Sequence, residues 1–373
     1  YQTNSLIYAT TPAAFIRDIV WLSTKKVKFD VVSIDEIHKA GLRNRKSQAT
    51  KAVIQLIKLV EKHLGRQVKL INPMTGTWTR KGPPGMFAVL HILAPKIFRD
   101  YWPFINTFCI VFKGAFGSEI LGPKNTEGLA VMTQPYVYQV SKEDVKQYLP
   151  PIHRIFLTSK LPRNIRHHYN TLAEHMYLEL SEGSVTSVTT ILSAYLKLRQ
   201  LITCPAIIDP SWGVGPALEL AVDKIQENDE LPNWKHNIIF TPFLAAIPYY
   251  RDHLMEVLNY RQEEILIVKG GMSIEEIQAV EATFRKNPNT MILASLKMSQ
   301  AWNAETALNV YFPHFDWDQD ENSQAEARSS RTNGTQEYIN SYYINFENTI
   351  TEDMREVLNT NTHITNVTFQ DFK

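Results

Sequence analysis

The chain has 373 residues, 44% hydrophobic and 21% charged, the balance of a soluble globular protein and long enough for two or three domains. Its 39 basic and 38 acidic residues nearly cancel, which excludes a protein coated in one sign of charge but leaves room for a local basic groove. No apolar run approaches the ~20 residues of a membrane span, the opening residues do not read as a signal peptide, and two cysteines, Cys109 and Cys204, supply neither a disulfide framework nor metal-ligand spacing, so a reducing interior is expected.

Taken in chain order, apolar runs alternate with helical periodicity, the pattern of parallel sheets covered by helices. Ser5–Thr10, Phe29–Ile34 and Val68–Ile71 read as strands. The second strand ends in Asp35-Glu36-Ile37-His38, flanked by the basic stretches Lys25-Lys26-Val27-Lys28 and Arg43-Asn44-Arg45-Lys46. An amphipathic helix is expected from Ser47 to Leu64, with Val53, Ile54, Leu56, Ile57 and Val60 on one face. The middle, roughly 80 to 232, is rich in aromatics and prolines, with helical stretches and weak strand signals, and His167-His168 there reads as surface. The pattern returns in the last third with strands at Asn237–Phe240, Ile265–Val268, Met291–Ala294, Ala307–Tyr311 and Ile339–Phe346, separated by helices such as Leu244–Asn259 and Ile274–Phe284.

Ligands of open α/β sheets bind beyond the carboxyl ends of the strands, where Asp35 and Glu36 fall. A carboxylate pair there suits nucleoside triphosphate hydrolysis, the first acid holding Mg²⁺ and the second orienting the attacking water. Taken alone, the stretch reads equally as a strand followed by an acidic turn.

The order of further motifs resembles the Swi/Snf-type ATPases of helicase superfamily 2. Asp35-Glu36-Ile37-His38 is similar to that family's DEAH-like Walker B motif, and Leu42 to Ser47 to its continuation. Thr75-Gly76-Thr77 resembles the TGTP motif, with Trp78 in place of proline, and Thr10-Thr11 an upstream threonine motif. Phe98 to Phe104, Val140 to Val145 with Leu149-Pro150-Pro151, and Leu198-Arg199-Gln200 with Cys204-Pro205 resemble segments particular to the Swi/Snf branch. Gln324-Ala325-Glu326-Ala327-Arg328-Ser329-Ser330-Arg331 resembles QA-x-x-R-x-x-R at every fixed position. Arginines three apart lie on one face of a helix, so both are expected to reach a triphosphate held by the opposite lobe. Two departures stand out. The stretch Ser295 to Asn303 keeps Ser295, Lys297 and Asn303 but lacks the glycines of its counterpart, and no G-x-x-x-x-G-K-[ST] phosphate loop is present, so the resemblance implies a Walker A upstream of Tyr1.

The resemblance implies an α/β fold of two RecA-like lobes with parallel sheets and a mostly helical insertion between them. Residues 1–80 are then the C-terminal part of lobe one, 81–232 the insertion and linker, and 233–373 lobe two. It implies an ATP- and Mg²⁺-using DNA translocase or helicase acting on duplex or branched DNA without regard to sequence, as a monomer away from membranes. Asp35, Glu36, Arg328 and Arg331 would be catalytic, with Asp35 reaching Mg²⁺ through water or phosphate; Gln324 and His38 would serve the nucleotide, Thr75, Gly76 and Thr77 the coupling, and Thr10, Thr11, Arg43, Lys46, Ser295 and Lys297 the DNA. The compact form suggests replication, recombination or repair in the cytoplasm of a bacterium or of an infected host cell. The alternative is a non-hydrolysing DNA-binding or scaffold descendant of such a motor.

Overall fold

The computed structural model describes residues 7–24, 31–37, 47–48, 50–55, 70–75, 82–114, 117–138, 148–181, 188–231, 234–298, 302–332, 334 and 336–358. Contacts divide the chain into two compact units, Tyr1–Gln139 with Ile364–Lys373, and Val140–His363.

The first unit opens with helix α1 (Pro12–Thr24). Thr11 caps it: its hydroxyl accepts the Ala14 N–H at 3.2 Å, and Pro12 takes the first helical position, where a missing N–H costs nothing. Residues 7–10 run irregularly into that cap with Ile7 86% exposed, so the strand expected at Ser5–Thr10 is not formed there. Strands β1 (Val31–Ile34) and β2 (Leu70–Pro73) pair in parallel, Val31 opposite Leu70 and Ile34 opposite Pro73. Residues 50–55 are helical, with the Ser47 hydroxyl accepting the Thr50 N–H. Ile37, Val53, Val89 and Ile92 close a small core over these strands, with Phe15, Ile34 and Ile71 packed at its margin.

Helix α2 (Gly82–Leu93) and α3 (Tyr101–Phe108) are followed by an antiparallel hairpin, β3 (Cys109–Gly114) and β4 (Gly117–Pro123), and by α4 (Thr126–Thr133). Phe87, Phe98, Phe104 and Phe108 fill the space between them, with Phe87 and Phe104 rings 5.2 Å apart and Phe98 edge-on to Phe104 at 6.0 Å. The aromatic richness of this stretch is therefore a core.

The second unit is built on a six-stranded, all-parallel sheet in the order β5-β10-β9-β6-β8-β7. In chain order its elements are β5 (Ile152–Ser159), α5 (Arg163–Ser181), α6 (Val188–Thr203), α7 (Pro216–Glu227), β6 (Asn237–Thr241), α8 (Ala246–Leu258), β7 (Ile265–Val268), α9 (Ile274–Lys286), β8 (Met291–Ser295), β9 (Asn309–Phe312), α10 (Gln319–Glu326) and β10 (Ile339–Phe346). Strands β6, β8, β9 and β10 are buried along their whole length, as strands covered on both faces must be. The unit starts well before the boundary expected at 233, because β5 pairs with β10 and the helices that follow it pack into the same core through Leu161, Ile165, Leu198, Ala217 and Val222.

Two features lock the sheet's register. Asn237, Asn309 and Asn340 stand side by side on three adjacent strands, Asn309 donating to Asn237 Oδ1 at 3.1 Å and Asn340 donating to Asn309 Oδ1 at 3.1 Å. Asn228, after α7, donates to the Tyr311 and Tyr342 hydroxyls at 3.1 and 3.3 Å. At the entry to α7, Gly215 adopts φ +87, and a Cβ there would lie 2.2 Å from Pro205 Cδ, so only glycine fits.

Candidate functional site

In the first unit, the parallel pairing of β1 with β2 carries Asp35-Glu36 and Thr75 to the same place beyond the strands' carboxyl ends. The pairing continues through the turn: Met74 N–H donates to Ile34 O at 2.8 Å and Ile37 N–H to Met74 O at 3.1 Å. Ile37 is buried and anchors the turn, Glu36 is half-buried, and Asp35 is exposed. Asp35 Oδ1 accepts the Glu36 N–H at 3.0 Å, and Thr75 donates its hydroxyl to Glu36 Oε2 at 3.4 Å. The two motifs that the sequence places some forty residues apart thus meet side chain to side chain.

Glu36 has φ 45, in the left-handed region that costs a residue with a Cβ roughly 1–2 kcal/mol. Such strain persists only where surrounding contacts hold it. Here the flanking backbone bonds do so, and they turn the Glu36 carboxylate toward Thr75. The oxygen donors fit Mg²⁺, a hard cation that keeps most of its waters and takes one or two carboxylates along with substrate phosphates. Among the described residues, no group of three or more His, Cys, Asp or Glu side chains could hold a metal without such help. Thr11 is exposed but spends its hydroxyl on the α1 cap, and Thr10 is exposed beside it. His38, Arg43, Lys46, Gly76 and Thr77 lie outside the described residues.

In the second unit, α10 begins at Asp318, whose side chain accepts the Asp320 N–H at 3.0 Å, and it carries Gln324 half-buried. The helix ends at Glu326, so Arg328 and Arg331 do not share a helical face as the spacing predicts. Tertiary contacts stop it. Glu326, fully buried, is drawn to the sheet by Arg154 and Tyr343, and the chain tightens into turns with Arg328 N–H to Ala325 O and Ser329 N–H to Glu326 O, both 3.1 Å. Arg328 is then held by backbone carbonyls, Nη1 donating to Trp302 O at 2.8 Å and Nε to Gln324 O at 3.1 Å, while its own carbonyl accepts the Ala304 N–H at 2.9 Å. Arg331 is half-buried, and its buried Nε has no hydrogen-bond partner. Burial lowers its pKa from the ordinary arginine value, opposed by Glu305 and Glu281. A desolvated arginine with spare donor capacity is suited to an anionic ligand.

Ser295 ends β8 opposite Thr241 and is 2% exposed, so its side chain is not available at the surface for the DNA contact expected of it. Lys297, in the short turn Leu296–Met298 that follows, is exposed. Arg199 donates Nε to His314 Nε2 at 2.8 Å and lies over the Phe243 ring. Burial and this cation hold the His314 pKa well below its ordinary value. Sequence reasoning missed Arg154 and Tyr343. The available signal was a lone arginine in the mostly apolar run Ile152 to Leu157.

An SNF2-related domain matches residues 7–207, more than half of the chain. Two curated relatives are from Schizosaccharomyces pombe: chromatin structure-remodeling complex subunit snf21, 22% identical over 95% of this chain, and SWI/SNF chromatin-remodeling complex subunit snf22, 23% identical over 90%. The chain spans 30% and 20% of their lengths. Among solved structures, the Sulfolobus solfataricus SWI2/SNF2 ATPase core in complex with dsDNA is 20% identical, with 96% of this chain and 72% of that chain covered at a TM-score of 0.49. The Sulfolobus solfataricus SWI2/SNF2 ATPase core domain is likewise 20% identical, covering 97% and 70% at a TM-score of 0.45. On the extent of the domain match, the chain belongs to the SNF2-related family.

Proposed function

We propose that this chain forms part of a DNA-dependent ATPase that moves on duplex or branched DNA. The observation that carries the reading is the convergence of Asp35, Glu36 and Thr75 beyond the ends of two paired parallel strands, in a chain of the SNF2-related family. In this reading Asp35 would hold Mg²⁺, which when bound would supply positive charge for the transfer of the phosphoryl group. Glu36 orients the attacking water. Thr75 fixes the Glu36 carboxylate and makes its orientation sensitive to movement of the strand β2 turn. Arg328 and Arg331 stabilise the charge that develops on the phosphoryl oxygens, an effect typically worth ~10³–10⁵ in rate. Domain assignments follow the same reading, the first unit supplying the end of one RecA-like lobe and the second unit the other.

DNA is held mainly through its phosphates, with Thr10, Arg43, Lys46 and Lys297 as candidate contacts, so affinity falls steeply with salt and is indifferent to sequence. The curated relatives are chromatin-remodeling subunits and lend no support to a bacterial or viral repair role. Nucleosomal DNA therefore belongs beside naked duplex and branched DNA among the substrates tested.

The test is phosphate release by the full-length natural protein with and without each DNA, alongside Glu36→Gln. Stimulated turnover in the wild type, lost in the variant while DNA affinity is retained, supports the motor. Tight DNA binding with no turnover in the wild type supports the non-hydrolysing scaffold instead.

A further inference from the structure

We propose that Arg154 is a positioning residue for the Gln324–Arg331 segment, setting where Arg328 and Arg331 stand; the proposal rests on the ATPase reading above. Glu326 lies two residues before Arg328 and is 0% exposed. Its two oxygens receive four hydrogen bonds: Arg154 Nε to Oε1 at 2.8 Å and to Oε2 at 3.1 Å, Arg154 Nη2 to Oε2 at 2.7 Å, and the Tyr343 hydroxyl to Oε1 at 3.0 Å. A planar fork against a carboxylate fixes direction as well as distance, which a lysine point charge does not.

The same stretch of chain grips the segment a second time. The Ser330 hydroxyl donates to Pro150 O at 3.2 Å, four residues before Arg154. Arg328 therefore sits midway between two anchors, Glu326 and Ser330, both held by residues 150–154. That stretch is itself pinned: Ile339 N–H donates to Pro151 O at 2.9 Å, and Ser341 is paired with Arg154 across β10 and β5. Two contacts thus hold the segment at Glu326, where its helix ends, and at Ser330, and two more from the sheet hold the stretch that makes them.

Stability alone does not account for a carboxylate that is 0% exposed, held by an arginine whose side chain is 44% exposed. Replacing such a group by well-packed apolar residues is often neutral or stabilising. What the fork adds is a defined carboxylate orientation, and through it the starting direction of the chain toward Arg328. Phosphoryl transfer is sensitive to that, since a displacement of about 1 Å in a catalytic group can cost ~10²-fold in rate.

The experiment replaces the polar group as a unit, with Arg154→Met, Glu326→Leu and Tyr343→Phe in one full-length protein, and measures DNA-stimulated ATP turnover. The expected result is a cooperative thermal melt near that of the wild type, a KM for ATP within about threefold, and a kcat ~10–100-fold lower. Arg154→Lys, which keeps the charge and loses the fork, is expected to lower kcat by a smaller factor at unchanged KM. A kcat within twofold of the wild type in the folded triple variant overturns the proposal. If the triple variant does not fold, Arg154→Lys decides in the same way: a lowered kcat supports the proposal, and an unchanged one overturns it. Arg331→Gln is measured in parallel. If it leaves kcat unchanged, the catalytic reading of these arginines fails and takes the proposal with it. If it lowers kcat while the triple variant does not, positioning alone is refuted.

Discussion

The asparagine ladder across β6, β9 and β10 offers a sharp test of how the second unit is held together. Asn309 is the middle rung: it donates to Asn237 and accepts from Asn340, each at 3.1 Å, and the three residues are 0%, 0% and 9% exposed. Asn309→Ala removes two hydrogen bonds and leaves two orphans, Asn237 Oδ1 and an Asn340 amide hydrogen, in a site that water does not reach. Each orphan costs about 1–3 kcal/mol, so the variant loses about 2–6 kcal/mol. For a unit of this size each kcal/mol moves Tm by about 2–4 °C, which puts the central expectation near 8–16 °C. Replacing all three rungs together, as Asn237→Val, Asn309→Val and Asn340→Val, leaves the Trp234 carbonyl and the Tyr260 hydroxyl without the partner that Asn237 supplies. Valine suits a buried parallel strand, so the triple variant is expected to lose less stability than the single one. Guanidinium unfolding followed by tryptophan fluorescence measures both, Trp302 reporting from the same core. A single variant costing less than about 1 kcal/mol, or a triple variant costing more than the single, would refute the reasoning.

Three further outcomes are expected. Glu36→Asn is expected to gain about 0.5–1 kcal/mol over Glu36→Gln in thermal unfolding, because asparagine tolerates the left-handed backbone at that position, while both variants abolish turnover; equal stabilities would mean the turn carries no strain. Gly215→Ala is expected to destabilise the second unit by about 3 kcal/mol or more, since its Cβ would sit 2.2 Å from the Pro205 ring at a φ of +87, and an unchanged melting temperature would contradict that geometry. His236 is 3% exposed and donates to Phe284 O at 2.7 Å, and burial lowers its pKa from 6.5 to about 4. The unfolded chain therefore takes up a proton below pH 6.5 that the folded chain refuses until about pH 4, so stability falls by about 3 kcal/mol as pH drops across that window. His314 acts in the same direction, so His236→Gln should flatten the pH dependence of unfolding only in part.

The sequence exposes those strands whose apolar runs are continuous. Ile238–Phe240 and Met291–Ala294 are such runs, and full burial in the middle of the sheet is what makes them so. Strand β5 escapes the same reading because His153 and Arg154 interrupt it, and the residues that disguise it are the ones that serve it: His153 stacks on Tyr338 and Arg154 meets Glu326. The late boundary at 233 follows from that one omission. The pairing of Asp35-Glu36 with Thr75 was legible as two motifs, but not the left-handed turn that joins them, since nothing about glutamate announces a positive φ. The end of α10 was also invisible. Its last residues carry no glycine or proline, and the stop comes from Arg154, Tyr343 and Trp302, all distant in sequence.

The pairing of β5 with β10 has a kinetic consequence. Among the described residues, the first strand of the second unit lies at the sheet edge and pairs only with the last strand. About 180 residues separate Ser159 from Ile339. During synthesis at 5–20 residues per second, β5 therefore waits roughly 10–40 s with Ile155, Phe156 and Leu157 lacking the strand they will face. Loop closure over that distance comes late and slowly, after β6, β7, β8 and β9 are available to pair among themselves. A chain cut short before Ile339 lacks β10, which leaves β5 without a partner strand and opens β9 as an edge in addition to β7, and such edges are templates for aggregation.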